Sequence, residues 1–210
     1  MGGAVLAGTA LAAAALWQGL TVRRYSLETD KLSAPVRLAH LSDLHGTQYG
    51  GGQARLLAAV DRLGPDAVVM TGDFYDEDHA DGNTDTLLSA LAGRWPCFFV
   101  RGNHEGRTGR ADRLKEKLEG WGIHVLTGTG ELLETRGQAL RICGVDDPDV
   151  CGEPGWLEQF RACKGMTGDG ICAVLLSHRP ERTQYYRASG FDLVLAGHAH
   201  GGQWRVPGLV

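Results

Sequence analysis

Val36-Arg37-Leu38-Ala39-His40-Leu41-Ser42-Asp43-Leu44-His45-Gly46 joins a short apolar run to a polar turn, and its reading decides the fold. The apolar part has the length and composition of a buried strand. Asp43 and His45 stand two residues apart, so on an extended chain both side chains point the same way. A carboxylate and an imidazole facing one point at a strand end make half a metal site. Alone the triplet is common in proteins. Its weight comes from four later segments of the same build.

Downstream, apolar strands alternate with amphipathic helices. Gln53 to Leu63 places Leu56, Leu57, Val60 and Leu63 at helical spacing and stops at Gly64-Pro65. Ala67 to Thr71 reads as a strand ending at Gly72-Asp73, and Cys97 to Val100 as one ending at Gly102-Asn103-His104-Glu105. Thr86–Leu91 and Arg110–Leu118 read as helices, and Ile123–Leu126 and Leu140–Val145 as strands. The looser stretch from Asp149 to Asp169 holds a helix around Trp156 to Ala162. Strand Cys172–Leu176 ends at Ser177-His178, and Phe191–Ala196 ends at Gly197-His198-Ala199-His200. In open α/β sheets ligands bind beyond the carboxyl ends of strands, so five such ends carrying metal-capable side chains predict one shared site.

A chain of 210 residues is long enough to bury a substantial core in one domain. A net charge of −4, with no basic face or run, gives no reason to expect a nucleic-acid partner. Five cysteines without a CxxC pair argue against a zinc knuckle and a complete disulfide framework; free thiols are expected, with a Cys143–Cys151 bridge left open. Gly2 to Leu20 carries no charged side chain and precedes Arg23-Arg24. Its length approaches the roughly 20 residues of a membrane-crossing helix. A secretory signal and an Ala-rich soluble helix compete with a membrane anchor. The anchor is preferred, because the basic residues follow the run instead of preceding it. The expectation is a membrane-associated protein whose domain lies on the cytoplasmic side.

The strand ends collect Asp43, His45, Asp73, Asn103, His104, His178, His198 and His200. Carboxylate, imidazole and amide donors without thiolate suit divalent Mn, Fe, Zn or Co. Setting His104 aside, the rest exceed what one ion with an open position takes up. With one bridging carboxylate they divide between two ions, the clamp that phosphatases and nucleases place on attacking and leaving oxygens. The bland alternative, polar residues capping strand ends, accounts for single blocks but not for five in order. Asp76 reads as loop support, His40 as facing the sheet packing, and His79 as solvated within its acidic loop. Arg101, Arg179 and Arg205 adjoin the blocks, where phosphate contact and ordinary surface placement both fit. Trp121, Trp156 and Phe160 read as core, with an apolar groove as the alternative.

Asp43-x-His45, Gly72-Asp73-x-x-Asp76, Gly102-Asn103-His104-Glu105, His178 and Gly197-His198-x-His200 together resemble the motif blocks of the calcineurin-like metallophosphoesterase superfamily. The resemblance implies a layered α-β-β-α sandwich of two mixed sheets and a dinuclear phosphoesterase. It implies that Asp43, His45, Asp73 and His200 hold one metal ion, that Asp73 bridges, and that Asn103, His178 and His198 complete the second. It makes His104 the residue that faces the leaving oxygen, with Glu105 orienting its ring. The wording of Ser42–Gly46, of the tail Gly197–Pro207 and of Tyr25–Leu32 resembles the membrane-associated branch. That branch includes phosphodiesterases and enzymes that hydrolyse the pyrophosphate of UDP-2,3-diacylglucosamine in lipid A synthesis, so a lipid-linked or nucleotide substrate is implied. The branch usually has Thr where Ala199 stands. Chains of the family continue past the last histidine block, so residues 36–210 are expected to form a domain lacking its C-terminal strands. A hydrophobic segment, 1–24, and a linker, 25–35, precede it. A metal-holding scaffold without turnover and a phosphomonoesterase are the alternatives; intact ligands and His104 favour the diesterase or pyrophosphatase.

Overall fold

The computed structural model describes residues 19–200. Strand β2 (Ala67–Met70) explains the layering, because all four of its side chains are buried. Successive strand residues face opposite sides. Ala67 and Val69 accordingly join one core, together with Phe98, Leu133, Ile142 and Val174, while Val68 and Met70 join another, with Leu56, Leu88 and Leu118. A strand buried on both faces needs a layer on each, and each fully buried large side chain contributes about 1.5–3 kcal/mol.

One sheet is parallel throughout, in the order β1 (Leu38–Leu41), β2, β3 (Cys97–Phe99) and β4 (His124–Val125). The other contains β5 (Thr129–Thr135), β6 (Gln138–Gly144), β7 (Cys172–Ser177) and β8 (Leu193–Ala196); its mixed character comes from the antiparallel β5–β6 pair. Helices α1 (Ala54–Leu63) and α2 (Gly82–Ala92) cover the outer face of the first sheet, α3 (Asn103–Arg107) follows β3, and α4 (Ala111–Gly120) joins the same cover. Helix α5 (Pro148–Lys164) covers the second sheet with Trp156, Phe160 and Cys163, and α6 (Thr183–Tyr186) is a single turn. Trp156 and Phe160 are therefore core, stacked with ring centroids 5.2 Å apart. This is the expected α-β-β-α sandwich.

Local chemistry sets the element ends. Helix α1 buries Leu56, Ala59 and Val60 and stops where Gly64 turns left-handed at φ 54°. Helix α5 starts earlier than its apolar spacing indicates. Asp147 caps it by accepting from the Asp149 N–H, Pro148 fits the first turn, and Gly152 at φ 73° breaks the helix before Trp156. Strand β5 has no counterpart in the apolar pattern, since most of Thr129–Thr135 is exposed. It forms because Arg136 and Gly137, at φ 50° and 75°, make a two-residue hairpin turn onto β6.

Two expectations change. Among the described residues no helix is long and apolar enough to cross a membrane, which overturns the membrane-associated placement expected from Gly2–Leu20. Leu20, at the end of that run, packs against the core beneath α1; residues 1–18 lie outside the described residues. His40 is exposed on β1 with Nε2 2.7 Å from Thr71 Oγ1, rather than facing sheet packing. All five cysteines are free, as expected, and no Cys143–Cys151 bridge is present.

Candidate metal centre

The ends of β1, β2, β3, β7 and β8 converge where the two sheets meet. The convergence of Asp43 and His45 has a different cause from the alternation of an extended strand. Both lie in the left-handed region, at φ 55° and 47°, as do Asp73 at 57°, His198 at 65° and His200 at 46°. The chain curls back immediately after each strand and carries the side chain over the strand end. A left-handed conformation costs a non-glycine residue about 1–2 kcal/mol, so hydrogen bonds must hold these turns. Asp43 N–H donates to Gly72 O and His45 N–H to Asp73 O, both at 3.0 Å, tying the first turn to the second. The His198 N–H donates to Asp43 Oδ1 at 3.0 Å and links the two sheets. A Cβ on Gly72 would strike the backbone of Gly102, and one on Gly102 would strike Asp73, so glycine at both positions permits the approach.

Three groups of side chains bring donor atoms within 4.8 Å of one another: Asp43, His45 and His200; His45, Asp73 and His104; and Asp73, His178 and His198. Asp73 Oδ2 is 3.8 Å from His45 Nε2 and 3.0 Å from His178 Nε2, so one carboxylate oxygen lies between two groups. Asn103 Oδ1 is 3.0 Å from His178 Nε2, and His200 Nε2 is 3.6 Å from Asp43 Oδ1. All seven predicted metal-binding side chains are brought together, with His104 beside them; its ring stands edge-on to His45 at 4.6 Å.

The donor set fits divalent cations. His45 Nε2 is buried without a hydrogen-bond partner, an orphan that a cation would satisfy. Burial lowers the pKa of His45, and burial with the Arg179 charge lowers that of His198, which favours neutral, ligand-type rings. Burial pulls His178 down as well, but the hydrogen bond and charge of Asp73 outweigh it and raise His178 to about 9. Burial likewise pushes Asp73 up, and its bond to His178 overrides that, leaving the carboxyl below its usual range.

Around His104 the sequence reading needs correction. Glu105 does not orient its ring. That carboxylate is fully buried and accepts four backbone N–H groups: Asp73 at 2.8 Å, Phe74 at 2.8 Å, Tyr75 at 2.9 Å and Gly102 at 2.7 Å. It is the tie between the β2 and β3 turns, and its bond back to Gly102 caps α3. The carboxylate on the imidazole is Glu77, with Oε2 2.9 Å from His104 Nδ1. Sequence reading passed over Glu77 because it stands in an acidic run that looks like a solvated loop. Asp76 supports that loop as expected, accepting from the Asp78 and His79 N–H groups at 3.0 and 2.8 Å and lying 2.9 Å from His79 Nδ1. Arg101 is buried against Asp146, and Arg205 lies outside the described residues. Arg179 Nη1 is 3.2 Å from His198 Nε2.

Comparison with known proteins shows the family. Residues 36–202 match the family described as calcineurin-like phosphoesterase. Phosphodiesterase YaeI of Escherichia coli strain K12 is 28% identical over 199 residues, covering 91% of this chain and 70% of that protein. An uncharacterized metallophosphoesterase of Aquifex aeolicus strain VF5 is 33% identical over 192 residues, covering 87% of this chain and 70% of that one. Among solved structures, Haemophilus influenzae NAD nucleotidase (NadN) superposes with a TM-score of 0.56 at 20% identity, a likeness of fold that covers 79% of this chain and 38% of that one.

Proposed function

The chain belongs to the calcineurin-like phosphoesterase family of metal-dependent phosphoester hydrolases, and from that premise we propose that it cleaves phosphodiester or pyrophosphate bonds with two divalent ions. The observation that carries the reading is the position of Asp73 Oδ2 between His45 and His178, one carboxylate shared by two donor groups. Asp43, His45, Asp73 and His200 would hold one ion, and Asp73, Asn103, His178 and His198 the other, with Mn, Fe, Zn and Co all compatible. When bound, such a pair supplies Lewis acidity toward the phosphoryl oxygens and an activated water as nucleophile.

The chain's own groups do the rest. His104 donates a proton to the departing oxygen through Nε2, while Glu77 takes up Nδ1 and fixes the ring's orientation. Glu105 holds the turns that carry Asp73 and Asn103. The preference for a diester follows the name of the E. coli relative. A lipid-linked or nucleotide pyrophosphate is the finer substrate that the sequence resemblance implies.

The test is hydrolysis of bis-p-nitrophenyl phosphate with added Mn²⁺, beside p-nitrophenyl phosphate and an Asp73→Asn control. Diester cleavage that needs the metal and disappears in the control is expected, with metal analysis giving two ions per chain. One ion per chain, or a monoester preference, would refute the corresponding part; a folded, metal-loaded protein without turnover would refute the whole.

A further inference from the structure

A phosphate ester brought to this site meets a surround of carboxylates, and several of the described arginines are already paired with carboxylates. Arg101 commits Nε and Nη2 to Asp146 and Nη1 to Asp112. Arg110 is paired with Asp81, and Arg182 with Glu153. Among the described residues, Arg179 alone of the lysines and arginines hydrogen-bonds to a member of the three donor groups.

Arg179 is also built into place. It follows His178 at the end of β7, and its side chain is 18% exposed. Nε donates to Asp147 Oδ2 at 2.5 Å and Nη2 to Asp147 Oδ1 at 2.9 Å, a two-pronged pair on a fully buried carboxylate. Asp147 is fixed in turn as the cap of α5, where Oδ1 accepts the Asp149 N–H at 2.8 Å. The Tyr186 hydroxyl donates to the Arg179 carbonyl at 2.5 Å and lies 2.9 Å from Ser177 Oγ, which secures the backbone. What remains uncommitted is Nη1, resting against His198 Nε2 at 3.2 Å. A charged phosphoryl oxygen is a stronger acceptor than a neutral imidazole nitrogen, so that contact is readily exchanged.

We propose that Arg179 binds the substrate's phosphoryl group through Nη1, with Asp147 as the positioning residue that aims it. The inference rests on the hydrolase reading above and adds to it the residue that receives the nonbridging oxygen. A charge-assisted bond of this kind sets the size of the effect. Calorimetric titration of inorganic phosphate into Mn²⁺-loaded protein is expected to show binding about 10- to 100-fold weaker in Arg179→Ala. KM for bis-p-nitrophenyl phosphate should rise by a similar factor, with kcat changing less. Arg179→Lys keeps the charge but loses the fork, so it should weaken phosphate binding by a smaller factor. Asp147→Asn should shift the phosphate constant in the same direction.

Wild-type phosphate affinity and KM in both Arg179 variants would overturn the proposal. So would an Arg179→Ala protein that loses bound Mn²⁺ while its remaining loaded fraction binds phosphate normally, since Arg179 would then merely support His198. Phosphate binding that depends on Arg179 in a wild-type protein without diester turnover would sink the hydrolase reading and leave this one standing.

Discussion

Replacing Glu105 by Gln should destabilise the protein severely, and the structure sets the amount. One carboxylate oxygen accepts the Asp73 and Gly102 N–H groups, the other those of Phe74 and Tyr75, all between 2.7 and 2.9 Å. A glutamine keeps one oxygen and turns an NH₂ group toward the other two donors, leaving a pair of buried N–H groups facing N–H. Each orphan costs about 1–3 kcal/mol, so the loss sums to about 2–6 kcal/mol. Relief of repulsion works the other way, because burial and the Asp73 charge both penalise the Glu105 carboxylate. The lower half of that range is therefore expected, still a large share of a typical stability of about 5–15 kcal/mol. Equilibrium urea unfolding of the metal-free protein would measure it. A loss below about 1 kcal/mol would refute the tie and return Glu105 to a purely catalytic reading.

Two further outcomes follow from the same geometry. Glu77→Gln removes the charge that holds His104 Nδ1 at 2.9 Å, so kcat should fall by about 10- to 100-fold for poor leaving groups and much less for p-nitrophenolate; an equal loss for all leaving groups would show a structural role instead. His178, raised to about 9 by Asp73 against the pull of burial, stabilises the metal-free fold fully below its unfolded value near 6.5. That stability is lost as pH rises toward and through about 9, while Mn²⁺ affinity climbs about tenfold per pH unit over the same interval as the ring gives up its proton. Stability of the metal-free protein that increased from pH 7 to 9 would contradict the pairing.

The site was legible in the sequence because each strand end carried its own chemistry, from Asp43-x-His45 to His198-x-His200. The two-sheet sandwich was implied by the family resemblance of the motif blocks, and runs such as Ala67–Met70, buried on both faces, agree with it. Residues whose roles depend on tertiary approach were not legible. Glu77 is one acid among several in its loop until the β3 turn places His104 against it, and Glu105 stands next to His104 in sequence while its carboxylate turns inward to four backbone amides. Strand β5 escaped because pairing and a hairpin turn form it, not burial. The membrane-associated placement read from Gly2–Leu20 has no counterpart among the described residues, where no helix is long and apolar enough to cross a membrane.

The left-handed turns at Asp43, His45, Asp73, His198 and His200 have a consequence for how such a chain ages in evolution. Each holds a side chain where glycine would rest without strain, so mutation toward glycine trades chemistry for relaxation of the backbone. A lineage released from the demand for turnover should therefore lose these positions first and keep the sandwich intact. All five carry a donor side chain here in place of glycine, so each turn keeps the backbone strain that its chemistry requires.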